Sequence, residues 1–260
     1  MRDFTLEAYR QYLQAIKASY ANIIRFADFF SANPLPDSFV IIRHDVDRKP
    51  GNALQMARLE KEMGICSTYY FRTRPHVFKP AIIREVAACG HEIGYHYESL
   101  ADAKGDQESA LKDFEQNLGR LRKVASVQTI SMHGSPLSPV DNRDLWRNRK
   151  NHRLLKEKYG ILGEVYLDID YRNIVYINDT GRNWLSEKSN LRDRVASSFQ
   201  VDFENGAALK NYLEQPIHTK MILLIHPERW NVLFTPYILS FSMDLMSNLA
   251  KNVLKPAIQK

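Results

Sequence analysis

Two short stretches carry side chains whose types and spacing suit hydrolytic chemistry. In "RHDVD", Asp45 and Asp47 lie two residues apart, so on an extended chain both carboxylates project to the same side. Two adjacent carboxylates in a partly dry cleft repel, and a divalent cation reverses this and keeps both ionised. In "GHEIGYHYESL", His96 follows a short apolar run as a metal ligand at a strand end does. One helical turn later, where a second imidazole would face the same ion, the residue is Leu100. A third donor must then come from His133, Glu98 or the substrate itself. His133 fits best, because it ends its own strand and Gly134 lets the chain turn away without crowding an ion.

Such residues act together only if the scaffold gathers strand ends. Helical patterns stop at glycine in "PGNALQMARLEKEMG", "PAIIREVAACG" and "NRDLWRNRKNHRLLKEKYG", and each is followed by a strand candidate: "ICSTYYFR", "HEIGYH" and "ILGEVYLDID". "SFVIIRHDVD" comes before them, and "SVQTISMHG", "NIVYIND" and "KMILLIHP" lie further along. Phe39 to Ile42 and Met221 to Ile225 are continuously apolar, as strands buried on both faces are. Alternating helices and strands predict a parallel α/β sheet or barrel. His44, His96, His133 and His226 all end predicted strands, four of the chain's eight histidines, and in parallel α/β folds those ends share one rim.

The 260 residues, 44% hydrophobic and 25% charged, without low-complexity segments or repeats, predict one folded domain over 1–260 with an N-terminal helical extension at about 1–36. Asp3 and Glu7 interrupt the start and no stretch of about 18 apolar residues occurs, which predicts a cytoplasmic protein with no membrane span. Cys66 and Cys89 are expected as reduced thiols. The net charge of +6 favours anionic partners without selecting one. The basic run "LWRNRKNHRLLKEKYG" has interspersed acids and no aromatic RNA-binding signature, so a solvated helix face is expected and nucleic acid is not. In "NDTGRNW", Arg182 is either a clamp for an anionic group, such as a phosphate or carboxylate, or part of a glycine-containing turn.

"IIRHDVD", then "GICSTYYF", then "GHEIGYH" and finally "LLIH" occur in an order that resembles the polysaccharide deacetylases of the NodB-homology group, carbohydrate esterase family 4. The wider pattern, with "MHGSP", "YLDIDY", "DTGR" and "IHPERW", looks like a divergent branch associated with surface-polysaccharide and lipopolysaccharide sugar biosynthesis. The resemblance implies a distorted (β/α) barrel of about seven parallel strands. It also implies Asp45 as catalytic base, Asp47 and His96 as metal ligands, His226 as general acid, and structural roles for His91 and His44. With His133 in place of the missing ligand at position 100, the site is expected to hold a divalent metal, Zn²⁺ first, with Fe²⁺, Co²⁺, Ni²⁺ and Mn²⁺ suited to similar donors. Asp168 or Asp170 is expected to orient His226. The implied substrate is an N-acetylated sugar, free or linked to a nucleotide or lipid. Two other readings stay open: a non-catalytic binder of a saccharide or protein, and a hydrolase of a non-sugar C–N bond.

Overall fold

A computed structural model describes residues 2–136, 138–185 and 192–231 of the chain. In chain order its elements are α1 (Leu6–Ser19), α2 (Phe26–Ser31), β1 (Phe39–Val46), α3 (Pro50–Glu62), β2 (Thr68–Phe71), α4 (Pro80–Ala88), β3 (Glu92–Tyr97), α5 (Ser99–Asp102) and α6 (Gln107–Arg122). They continue with β4 (Val127–Met132), α7 (Asp144–Arg147), α8 (Arg149–Glu157), β5 (Gly163–Glu164), β6 (Val175–Asn178), α9 (Gly206–Glu214) and β7 (Lys220–Ile225). The strands form one parallel seven-stranded sheet in the order β5-β4-β3-β2-β1-β7-β6. This is the distorted (β/α) barrel expected from the sequence.

The period of two along each strand decides what faces the inside of the curl. On β1, Val40 and Ile42 pack outward under α1 and α9, while Phe39 and Ile41 point inward, where Tyr70 of β2 and Ile222 and Leu224 of β7 meet them. On β3, Ile93, Tyr95 and Tyr97 face the outer helices. Gly94 faces inward, where a Cβ would stand 2.2 Å from the Tyr70 ring. Each fully buried side chain of this kind stabilises the fold by about 1.5–3 kcal/mol.

β5 and β6, the two sheet edges, do not pair with each other, yet the sheet curls far enough to bring them close. The Tyr166 and Tyr176 hydroxyls stand 3.5 Å apart, and Tyr171 packs on Tyr176 while donating to the Val165 carbonyl at 2.7 Å. Side chains thus close the seam where strand hydrogen bonds do not.

Two elements differ from the sequence expectation. The strand expected over 161–170 is only Gly163–Glu164, because the Glu164 carboxylate accepts from the backbone N–H of Tyr166 and Leu167 and turns the chain. The helix expected over 142–160 breaks at Asn148, whose extended backbone (φ −68°, ψ 121°) separates α7 from α8 and whose side chain caps α8. Arg149, Lys150, Arg153 and Lys156 lie on the exposed face of α8, while Leu155 is buried. Both cysteines are free thiols. Among the described residues no helix is long and apolar enough to cross a membrane. The expected extent of 1–260 runs into residues 232–260, outside those described.

Candidate active site

β1 sets the floor of the site. Arg43, Asp45 and Asp47 follow Phe39 and Ile41 on the inward face, and all but Asp47 are essentially without solvent contact. Arg43 grips Asp45 with two parallel bonds, Nε to Oδ1 at 2.8 Å and Nη2 to Oδ2 at 2.7 Å. Burial alone raises the Asp45 carboxyl pKa, but the guanidinium of Arg43 and the imidazole of His96 outweigh it and hold the group below the usual carboxylate range.

The neighbouring strands complete the cleft. His96 is the penultimate residue of β3, and its Nδ1 donates to the Ser131 carbonyl of β4 at 3.0 Å, which turns Nε2 toward the aspartates. That nitrogen stands 3.4 Å from Asp45 Oδ2 and 3.3 Å from Asp47 Oδ1. His133 follows β4, with its ring 5.3 Å from that of His96 and its Nε2 3.7 Å from Asp47 Oδ1. Leu100 is buried in the core against α6 and takes no part. The β1–β7 register pairs His44 with Ile225, so one residue further Asp45 on β1 and His226 just past the end of β7 stand side by side, both facing in.

His226 is held by Asp179, just beyond β6. Asp179 accepts from the His226 backbone N–H at 3.0 Å, from its Nδ1–H at 2.6 Å, from Arg229 Nη1 at 2.7 Å and from Trp230 Nε1 at 2.8 Å. Burial would push the Asp179 carboxyl up, but Arg229 and His226 bring it down to about 2. For His226, burial and Arg229 act to lower the imidazole pKa, and Asp179 overcomes both, so the net shift is upward. The sequence reading expected Asp168 or Asp170 in this role. Asp168 instead pairs with His152 at 2.8 Å and Asp170 with exposed Arg172.

His44 is excluded from the cleft by alternation. Adjacent to Asp45, it points outward to Glu60 of α3 at 2.6 Å and stacks on Tyr69. His91 bridges the Ser67 N–H and the Ala57 carbonyl. Both are structural, as the resemblance implied. Arg182 is buried, donating to the Arg229 carbonyl at 2.6 Å with its guanidinium over the Phe4 ring. These contacts turn it into the protein, at the position for which the sequence left an anion clamp and a glycine-containing turn as alternatives.

The donors suit a borderline cation. Asp47 Oδ1 is buried without a hydrogen-bond partner although two imidazole nitrogens stand near it. Those separations are of the order of the ~3.4 Å between neighbouring ligands of a tetrahedral zinc ion. Among the described residues no three His, Cys, Asp or Glu side chains are already closed around one point. The fit is thus one of donor chemistry and pairing, not of a finished cage.

No protein-family model and no curated protein matches the chain. Among solved structures it is similar to a Streptococcus mutans CE4 esterase, at 12% identity over 94% of this chain and 91% of that chain, TM-score 0.45. It is also similar to the catalytic domain of a peptidoglycan N-acetylglucosamine deacetylase from Eubacterium rectale, at 13% identity over 84% and 90%, TM-score 0.44. A third is a family 4 carbohydrate esterase from Streptomyces lividans in complex with acetate, at 11% identity over 84% and 91%, TM-score 0.40. Identity and TM-score are low in all three.

Proposed function

We propose that the chain is a metal-dependent hydrolase that removes an N-acetyl or similar acyl group from a sugar in surface-polysaccharide biosynthesis, with a nucleotide- or lipid-linked sugar as substrate. The observation that carries this reading is the pairing of opposite partners in one cleft: Asp45 is gripped by Arg43, which favours the ionised carboxylate, and His226 Nδ1 is bonded to Asp179, which favours the protonated imidazole. Amide hydrolysis needs both, a base for the attacking water and an acid for the departing amine. The order of the sequence motifs supports the same class of reaction.

Asp47, His96 and His133 are the residues that would hold the cation, with Zn²⁺ the first candidate for two imidazoles and a carboxylate. When bound, a divalent cation supplies Lewis-acid polarisation of the acyl carbonyl and acidifies water. Asp45 takes the proton from the attacking water. The Asp179 carboxylate accepts from Nδ1 of His226, which leaves Nε2–H free to face the cleft. His226 gives that proton to the sugar nitrogen as the C–N bond breaks, so the products are a free amine and a carboxylate. Asp179 touches no reacting atom and is a positioning residue.

Elemental analysis of purified full-length protein, with acetate release measured over a panel of N-acetylated nucleotide sugars, tests the proposal. Asp45→Asn is expected to keep metal content near wild type while turnover falls by roughly two to four orders of magnitude. Because the substitution leaves Arg43 buried against a neutral amide, it also costs stability, and the comparison is made on protein shown to melt cooperatively. Loss of metal in Asp45→Asn with retention in Asp47→Asn exchanges the two roles. Full activity in both variants removes the mechanism.

A further inference from the structure

Glu98 lies two residues beyond His96, between the end of β3 and the start of α5, and is 6% exposed. Its carboxylate is fully engaged by two arginines that follow β2. Oε1 accepts from Arg72 Nε at 3.0 Å and Arg74 Nε at 2.6 Å, and Oε2 accepts from Arg72 Nη2 at 2.6 Å. Arg74 is held in turn by Asp102 of α5. Oε2 also stands 3.2 Å from His133 Nδ1. The other neighbour of that nitrogen is Ser135 Oγ, at 3.1 Å, which already accepts from Asn142 Nδ2.

These contacts bear on which nitrogen of His133 carries the proton. A neutral imidazole has one N–H and one lone pair, and a lone pair aimed at a carboxylate is repelled. With Glu98 at Nδ1, the proton belongs there and the lone pair on Nε2. Nε2 is the nitrogen that faces Asp47 Oδ1. Glu98 itself is a poor ligand, because both its oxygens are committed to arginines.

We propose that Glu98, clamped by Arg72 and Arg74, is a positioning residue that fixes the Nδ1–H tautomer of His133 and so aims its Nε2 lone pair at the cation position shared with Asp47 and His96. The inference rests on the reading of those three residues as a metal site. It adds the device by which a ligand supplied from β4 is made competent where position 100 cannot contribute, with the ends of β2, β3 and β4 joined through one carboxylate. A carboxylate or carbonyl behind a ligating imidazole generally serves this purpose, and its removal typically costs 10–100-fold in metal affinity.

The test is ¹⁵N NMR of the imidazoles in metal-free protein at a pH where His133 is neutral, together with zinc titration of the full chain. Wild type is expected to show His133 with a protonated Nδ1 and an unprotonated Nε2. In Glu98→Gln the arginines hold the amide oxygen, the amide NH₂ faces His133, the tautomer reverses, and zinc affinity falls about 10–100-fold. Glu98→Asp is expected to restore part of the affinity. If wild type binds no zinc, or His133→Ala binds it as wild type does, the metal-site reading itself fails. If wild type binds zinc through His133 but Glu98→Gln keeps both tautomer and affinity, only the role of Glu98 is overturned. Should Glu98→Gln not fold, the wild-type tautomer decides, and an Nε2–H form overturns the proposal.

Discussion

At the scale of single residues, the site consists of charges that arrive with their partners. The acid half is the more testable. Because Asp179 raises the His226 imidazole above its ordinary value, activity that needs the protonated form is expected to persist to higher pH than an unshifted imidazole would allow and to be lost as pH rises through the shifted value. Asp179→Asn is expected to move the alkaline limb of kcat/KM to lower pH, and to slow amide hydrolysis much more than hydrolysis of an activated ester, whose leaving group needs no proton. An unmoved limb, or equal loss on both substrates, contradicts the role given to His226. Asp45, Asp47, His96 and His226 were legible in the sequence because each sits at a strand end with the period of two fixing its side. Arg43 was missed, although the alternation that places Asp45 and Asp47 together also places the residue two before Asp45 beside them. Asp179 was not. It lies 47 positions from His226, meets it only through the β6–β7 pairing, and sits in a "DTGR" segment that reads as a turn.

At the scale of elements, position 100 shows how a short helix redirects a motif. α5 begins at Ser99, and its first turn carries Leu100 into the cluster with Phe114 and Leu118 of α6, away from Asp47. Restoring an imidazole there should therefore not restore a ligand. Leu100→His is expected to lose about 2–4 kcal/mol of stability in denaturant unfolding, from a lost apolar contact and a buried polar ring, with zinc affinity unchanged. A tenfold gain in affinity would show that α5 can swing toward the cleft. The order of strands and helices and the parallel α/β class followed from periodicity and glycine stops, and the distorted barrel from the resemblance of the motifs. The short β5 and the break at Asn148 did not, because both depend on side-chain bonds to nearby backbone that compete with regular structure. α6, which covers β3 and β4 and buries Leu100, has a repeating apolar face at Ala110, Phe114, Leu118 and Leu121 that the strand-end reading left aside.

At the scale of the whole molecule, the sheet is a nearly closed ring whose last gap is filled by Tyr166, Tyr171 and Tyr176. Strands inside the sheet are paired on both sides, whereas β5 and β6 are paired on one. Local opening therefore costs least at the gap, and native-state hydrogen exchange should release the amides of Glu164 and Tyr176–Asn178 well before those of Ile41–Arg43. Uniform protection across all seven strands would contradict this. Asp179 follows the edge strand β6, while His226, the proposed acid, follows β7. Asp179 is nonetheless bonded to His226, Arg229 and Trp230, so opening at β6 is opposed by four hydrogen bonds that cross to the segment after β7. The tyrosines that fill the gap also reach the site, since the Tyr166 ring lies 4.7 Å from the guanidinium of Arg43, which grips Asp45.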